Sequence, residues 1–167
     1  MNTFQLDQCL DSKRFARDCA HQGLCQTFRL PPSLRDAEDP ELLRALMAAP
    51  SPLVTFDRAL PHDHTAFIPS QHPGIIVISN YPALQTMTVR IAQRVLGRFK
   101  AAFPQWHLVA WTNSVVEITT IGVDVWHVED NRLVRDTYLA FDSADWQMRL
   151  TSALEQNARR GSPPAAG

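Results

Sequence analysis

Three aspartates, Asp7, Asp39 and Asp57, are the side chains whose type and spacing suggest chemistry. Asp7 follows Thr3-Phe4-Gln5-Leu6 and Asp57 follows Leu53-Val54-Thr55-Phe56; each run reads as a short strand with an acid delivered at its end. Asp39 stands before Pro40 and Glu41 at the start of an apolar-periodic segment, with Asp36 and Glu38 nearby. Open α/β sheets form their sites at the carboxyl ends of parallel strands. Three carboxylates converging there repel one another unless a cation sits between them. Mg²⁺ or Mn²⁺ takes such oxygen ligands and keeps waters for chemistry on phosphates. The expectation is a metal-assisted phosphodiester site with Asp7, Asp39 and Asp57 as metal ligands. Each acid also has an ordinary structural use: Asp39 as a helix cap, Asp7 and Asp57 as turn residues.

The neighbours of these acids divide into substrate contacts and bystanders. Arg58 directly follows Asp57 and is placed to meet a phosphate, with Thr55 beside it as a second substrate contact; the alternative for Arg58 is a solvated loop charge. His62, His64 and His72 invite a zinc reading, but no fourth ligand stands in register, and solvent-exposed loop histidines are the commoner outcome. Asp63 offers a further acid from the same loop. Cys9, Cys19 and Cys25 are an odd, unspaced set that fits reduced thiols rather than a disulfide framework, Cys19 and Cys25 as small core residues.

The elements that must position the acids can be read along the chain. Asp11 or Ser12 caps a first helix with Phe15, Ala16 and Cys19 inward, stopped at Gly23. Leu24 to Leu30 forms a second strand, and Asp39 caps a second helix that buries Leu42, Leu43, Leu46 and Met47. The segment from Arg58 to Pro73 reads as a long polar loop, and Gly74 to Ser79 as a strand buried on both faces. A helix from about Leu84 to Phe103 follows, then apolar runs at Leu108–Trp111, Val115–Ile121 and Val123–Val128, with turns at Asn113 and Gly122. One more amphipathic helix is expected around Asp142 to Ala158. This order predicts an α/β fold: a mostly parallel central sheet, helices on both faces, and antiparallel strands added near the C-terminus. The division expected is a main domain over 1–128, a partly helical extension over 129–160 and a disordered tail over 161–167.

With those blocks in order, Phe4 to about Val128 resembles the PIN-like nuclease domains of small bacterial toxin–antitoxin ribonucleases. Such domains begin with a strand ending Asp-Glu-Asn-Leu, against Leu6-Asp7-Gln8-Cys9-Leu10 here. Their Ser-Asp-x-Glu-Ile/Leu helix start is matched by Glu38-Asp39-Pro40-Glu41-Leu42-Leu43, and their Thr-x-Asp-x-Asp-Phe by Thr55-Phe56-Asp57-Arg58-Ala59-Leu60. Their Pro-Gly followed by an apolar strand is matched by His72-Pro73-Gly74-Ile75-Ile76-Val77-Ile78. The resemblance implies a three-layer PIN-like fold and a divalent-metal-dependent ribonuclease, with RNA as substrate and an antitoxin protein as partner. It carries Asp7, Asp39 and Asp57 over as metal ligands. Gln8, Cys9 and Ala59 depart from the pattern, so the acidic set is smaller than the family norm; a non-catalytic relative that pairs with an antitoxin or a second copy of itself is the alternative.

Composition sets the outer bounds. The 167 residues carry 16 Lys+Arg against 17 Asp+Glu, a formal net charge of -1, which argues against gripping nucleic acid by bulk electrostatics. The 6 glycines are too dispersed for a phosphate-cradling loop. No apolar run is long enough to span a membrane, and Asp7 and Asp11 interrupt any secretory core, so a cytoplasmic protein is expected. A phosphoreceiver domain would use Asp7, Asp57 and Ser79, but it needs a lysine where Trp111-Thr112 stands. Trp106, Trp111, Trp126 and Trp146 read as packing or interface residues before a base-stacking surface.

Overall fold

The computed structural model describes residues 3–7, 13–21, 23, 26–28, 32–34 and 36–161. Expectations for Gln8, Cys9, Asp11, Ser12, Cys25 and the tail after Gly161 lie outside these residues. A seven-stranded sheet runs in the order β2-β1-β3-β4-β5-β6-β7, formed by β1 (Thr3–Leu6), β2 (Gln26–Phe28), β3 (Leu53–Thr55), β4 (Ile75–Ile78), β5 (Val115–Ile118), β6 (Gly122–Glu129) and β7 (Arg132–Ala140). The first five are parallel, and β6 and β7 add antiparallel to β5.

Strand pleating sorts side chains into two cores. On one face Phe4, Leu6, Val54, Ile76, Ile78, Val116 and Ile118 pack against α1 (Lys13–His21), α4 (Val89–Ala102) and α5 (Trp146–Ala158). On the other, Leu53, Ile75, Val77 and Val115 meet Leu42, Leu43, Leu46 and Met47 of α2 (Asp39–Met47) and Leu60 of α3 (Ala59–Asp63). Helices thus cover both faces, as an α/β architecture requires. Gln5, buried on the α2 face, donates to Leu46 O at 3.0 Å and Ser51 O at 2.7 Å, satisfying carbonyls where α2 ends.

Several boundaries differ from the sequence reading, each for a local reason. The α2 cap is Glu38, with no side-chain hydrogen bond, and Asp39 is the first helical residue. The segment after Arg58 is not a plain loop: Leu60 and Pro61 are buried, drawing in the short helix α3 and a 3₁₀ turn at Thr65–Phe67. The α4 helix begins at Val89, capped by the Thr88 hydroxyl accepting from Ile91 N at 3.2 Å, rather than at Leu84, which is fully exposed. Leu108–Trp111 is not a strand. Trp111 instead buries beside Phe99 and donates its indole N–H to Trp106 O at 3.2 Å, closing the end of α4. Residues 129–160, expected as a partly helical extension, carry β7 as well as α5: the strand extends the sheet and the helix packs alongside it. No helix among the described residues is long and apolar enough to cross a membrane.

Candidate functional site

The parallel strands run in the order 2-1-3-4-5, so chain direction across the sheet reverses between β1 and β3. Crevices open at the carboxyl ends of strands beside such a switch point. Asp7 leaves β1 there and Thr55 ends β3 there, side by side on the α2 face. Asp7 is 5% exposed, and its Oδ2 accepts the Thr55 hydroxyl at 2.6 Å. The same hydroxyl oxygen accepts the backbone N–H of Asp57 at 2.9 Å. Thr55 is therefore a strut joining the Asp7 carboxylate to the start of the next segment. Such a charge-assisted bond contributes about 1.5–3 kcal/mol.

Asp57 itself is exposed and turns its Oδ1 to the Ala59 N–H at 3.0 Å, starting α3. Asp39, half-buried at the head of α2, lies 3.2 Å from His64 Nε2 through its Oδ2. The structure brings Asp7, Thr55 and Asp57 into one hydrogen-bonded chain, while the Asp39 contact is made to the loop histidine. Arg58, expected to face a phosphate, instead places its Nε 2.7 Å from Glu117 Oε1. The N–H is not directed at that oxygen, so the contact is a charge pair, and Oε1 keeps no hydrogen-bond donor.

Glu117 was not singled out in the sequence because it sits inside the apolar run Val115-Val116-Glu117-Ile118. A lone acid in a strand buried on both faces was the signal for it. It is 2% exposed, and with Asp7 it makes the pair of buried carboxylates among the described residues. Both lie toward the carboxyl ends of parallel strands, on the same face.

Beyond Glu117 the site continues across the antiparallel strands. Glu117 pairs across to Asp124 on β6, and Asp124 to Tyr138 on β7. Facing acids on adjacent strands repel; here each has its own arginine, Arg58 for Glu117 and Arg135 for Asp124, the latter with Nε at 2.7 Å. Arg58 lies over the Tyr81 ring at 5.8 Å and Arg135 over the Tyr138 ring at 5.6 Å. Thr120 Oγ1 donates to Tyr81 O at 2.7 Å and fixes the strand-end segment that carries Tyr81. Gly122 lets the second ring lie close, because a Cβ there would meet the Tyr138 hydroxyl at 2.7 Å. Desolvation, then the nearby Asp124 and Asp142 carboxylates, hold the Tyr138 hydroxyl above its ordinary pKa, so it remains a donor. These groups line a cleft of about 390 Å³ with Thr119 and Ile121. A larger groove of about 950 Å³ lies between the end of α2 and the β6–β7 turn, but none of its lining residues is a buried ionisable group.

The remaining candidates disperse. His62 meets the edge of Trp126, and His72 is buried beyond the opposite ends of the strands, where its Nδ1 accepts Gly74 N–H at 3.2 Å. The three histidines share no site. Asp63 is exposed at the end of α3. Trp106, Trp111 and Trp146 are core residues, and Cys19 is a buried free thiol. A Mg²⁺ or Mn²⁺ ion needs several oxygens gathered around one point. Among the described residues no group of three or more His, Cys, Asp or Glu side chains is gathered in this way.

The chain matches no protein-family model, no curated protein and no solved structure.

Proposed function

We propose that this chain is a PIN-like protein that binds RNA at the carboxyl edge of its sheet, as a binding module without the full metal set of the nucleases it resembles. One observation carries this reading. The buried carboxylates Asp7 and Glu117 share that edge, and the guanidinium of Arg58 stands beside Glu117 as a counter-charge. A side-chain cation 60% exposed can leave its partner for an incoming phosphate. The balanced overall charge then restricts binding to this local site and disfavours sequence-blind adhesion.

A second reading, a Mg²⁺- or Mn²⁺-dependent ribonuclease acting as the toxin of a toxin–antitoxin pair, rests on Asp7 and its link through Thr55 to Asp57. In that reading Asp7, Asp39 and Asp57 are the metal ligands. The two separate in one experiment: radiolabelled RNA incubated with the protein in EDTA and in Mn²⁺, with calorimetry of Mn²⁺ alone. The binding module retains RNA in both conditions, leaves it intact and shows no Mn²⁺ heat. Mn²⁺-dependent cleavage that disappears in Asp7→Asn overturns it in favour of the nuclease.

A further inference from the structure

The cleft beside Arg58 has a feature that RNA binding at large does not require. Glu117 lines it, is 2% exposed, and its buried Oε1 stands 2.7 Å from Arg58 Nε without a donor in hydrogen-bond geometry. A charge contact offsets part of the cost of burying a carboxylate, and a well-directed donor to its oxygen would add to that. Around it stand two exposed rings, Tyr81 and Tyr138, at 52% and 38%, and two arginines whose side chains are 60% and 55% exposed. Flat rings offer a stacking surface to a base, guanidinium groups meet a phosphate, and a carboxylate selects a base edge that only donates. Guanine is the common base that presents two adjacent donors, its ring N–H and its amino group, to one carboxylate.

We propose that Arg58, Tyr81, Glu117, Arg135 and Tyr138 form a binding site for one guanine nucleotide unit. The proposal rests on the RNA-directed reading above and adds to it the base that the site selects. Arg58 swings from Glu117 to the nucleotide phosphate, and the guanine edge takes its place on the carboxylate. The base stacks on Tyr81, and Arg135 with Tyr138 borders the next unit of the strand. A free guanine nucleotide and a guanine within single-stranded RNA present the same chemistry, so the test separates these sources.

Affinities are measured in EDTA for an oligouridine octamer, the same octamer with one central guanosine, and GMP. The guanosine octamer is expected to bind at least about tenfold tighter than oligouridine, a ratio typical of one good base contact. Glu117→Gln, which keeps the shape but turns one oxygen into a donor, should bring that ratio below about twofold. Arg135→Ala should weaken both octamers alike and lower the salt slope by about one. Equal binding of the two octamers by the wild-type protein overturns the proposal, as does a preference that survives Glu117→Gln. Tight GMP binding with neither octamer bound sustains the cleft and overturns the RNA reading. If Glu117→Gln fails to fold, the surface variant Tyr81→Ala decides: about a tenfold loss for the guanosine octamer supports the site, and no loss overturns it.

Discussion

The two ends of the parallel strands treat their buried polar side chains in opposite ways. At the amino end, Asn113 holds a left-handed turn (φ 59°) and exchanges bonds with His72, its N–H donating to His72 O and its Oδ1 accepting His72 N–H, each at 2.9 Å. Its amide also donates to Asn157 O and Arg160 O at the end of α5. Asn157 in turn donates to Ser114 Oγ at 3.2 Å and Asp136 Oδ2 at 2.8 Å, and Asp136 holds His127 Nδ1 at 2.7 Å. Among the described residues there, the Nε2 atoms of His72 and His127 accept or donate no hydrogen bond, the latter lying 3.9 Å from Glu129 Oε2. At the carboxyl end, Asp7 accepts the Thr55 hydroxyl, Glu117 holds a charge contact without hydrogen-bond geometry, and the neutralising arginines are more than half exposed. The amino end is tied by a network of the chain's own hydrogen bonds; the carboxyl end carries exposed arginines beside its buried carboxylates. The contrast predicts that substitutions at the amino end cost folding, and at the carboxyl end cost binding.

The strongest test is Gly74→Ala at the amino end. Gly74 sits at φ 114°, and a Cβ would lie 2.5 Å from Trp111 O, so we expect a loss of about 3 kcal/mol or more in urea denaturation. A variant as stable as wild type would remove the close packing on which the contrast depends. Acid should act at the same end. Burial pushes the His72 pKa from 6.5 down to about 4, so between those pH values the unfolded chain binds a proton that the folded chain refuses. Stability is complete above pH 6.5 and falls as pH approaches 4, by about 3 kcal/mol in total. In His72→Asn, whose amide oxygen can replace Nδ1 as acceptor, this part of the pH slope should vanish from denaturation curves.

Asn157→Ala leaves Asp136 Oδ2, Ser114 and Arg160 short of partners, and about 2 kcal/mol should be lost in thermal unfolding followed by circular dichroism. The smallest stability effect belongs to the carboxyl end. Asp57→Asn keeps an oxygen for the Ala59 N–H and should shift stability by less than about 0.5 kcal/mol. A large destabilisation there, measured in the same denaturation series, would erase the distinction between the two ends.

What the sequence disclosed follows the same divide. β1, β3 and β4 were legible because their short apolar runs are buried, and Asp7 and Asp57 were legible because they close two of those runs. β7 was not, since Arg132–Ala140 is an edge strand whose residues largely face solvent and so lack an apolar rhythm. Leu108–Trp111 misled for another reason: Trp111 packs on Phe99 beneath α4 with Val109 beside the core, while Leu108 is exposed, so the run has no place in the sheet. Glu117 escaped because a single acid within an apolar run gives no spacing pattern. The Arg135–Tyr138 half of the cleft depends on the unrecognised β7.

The irregularity that sets Asp136 apart in β7 has a consequence for assembly. Pairing along β6 and β7 slips between Val125 and Trp126, and the Asp136 carboxylate is taken up by His127 and Asn157. A last strand so broken, with Arg132 and Arg135 along it, offers a poor template for another chain to dock alongside. The open border of the sheet is guarded against uncontrolled lengthening. A second chain would then have to be recruited by other means than adding a strand beside β7.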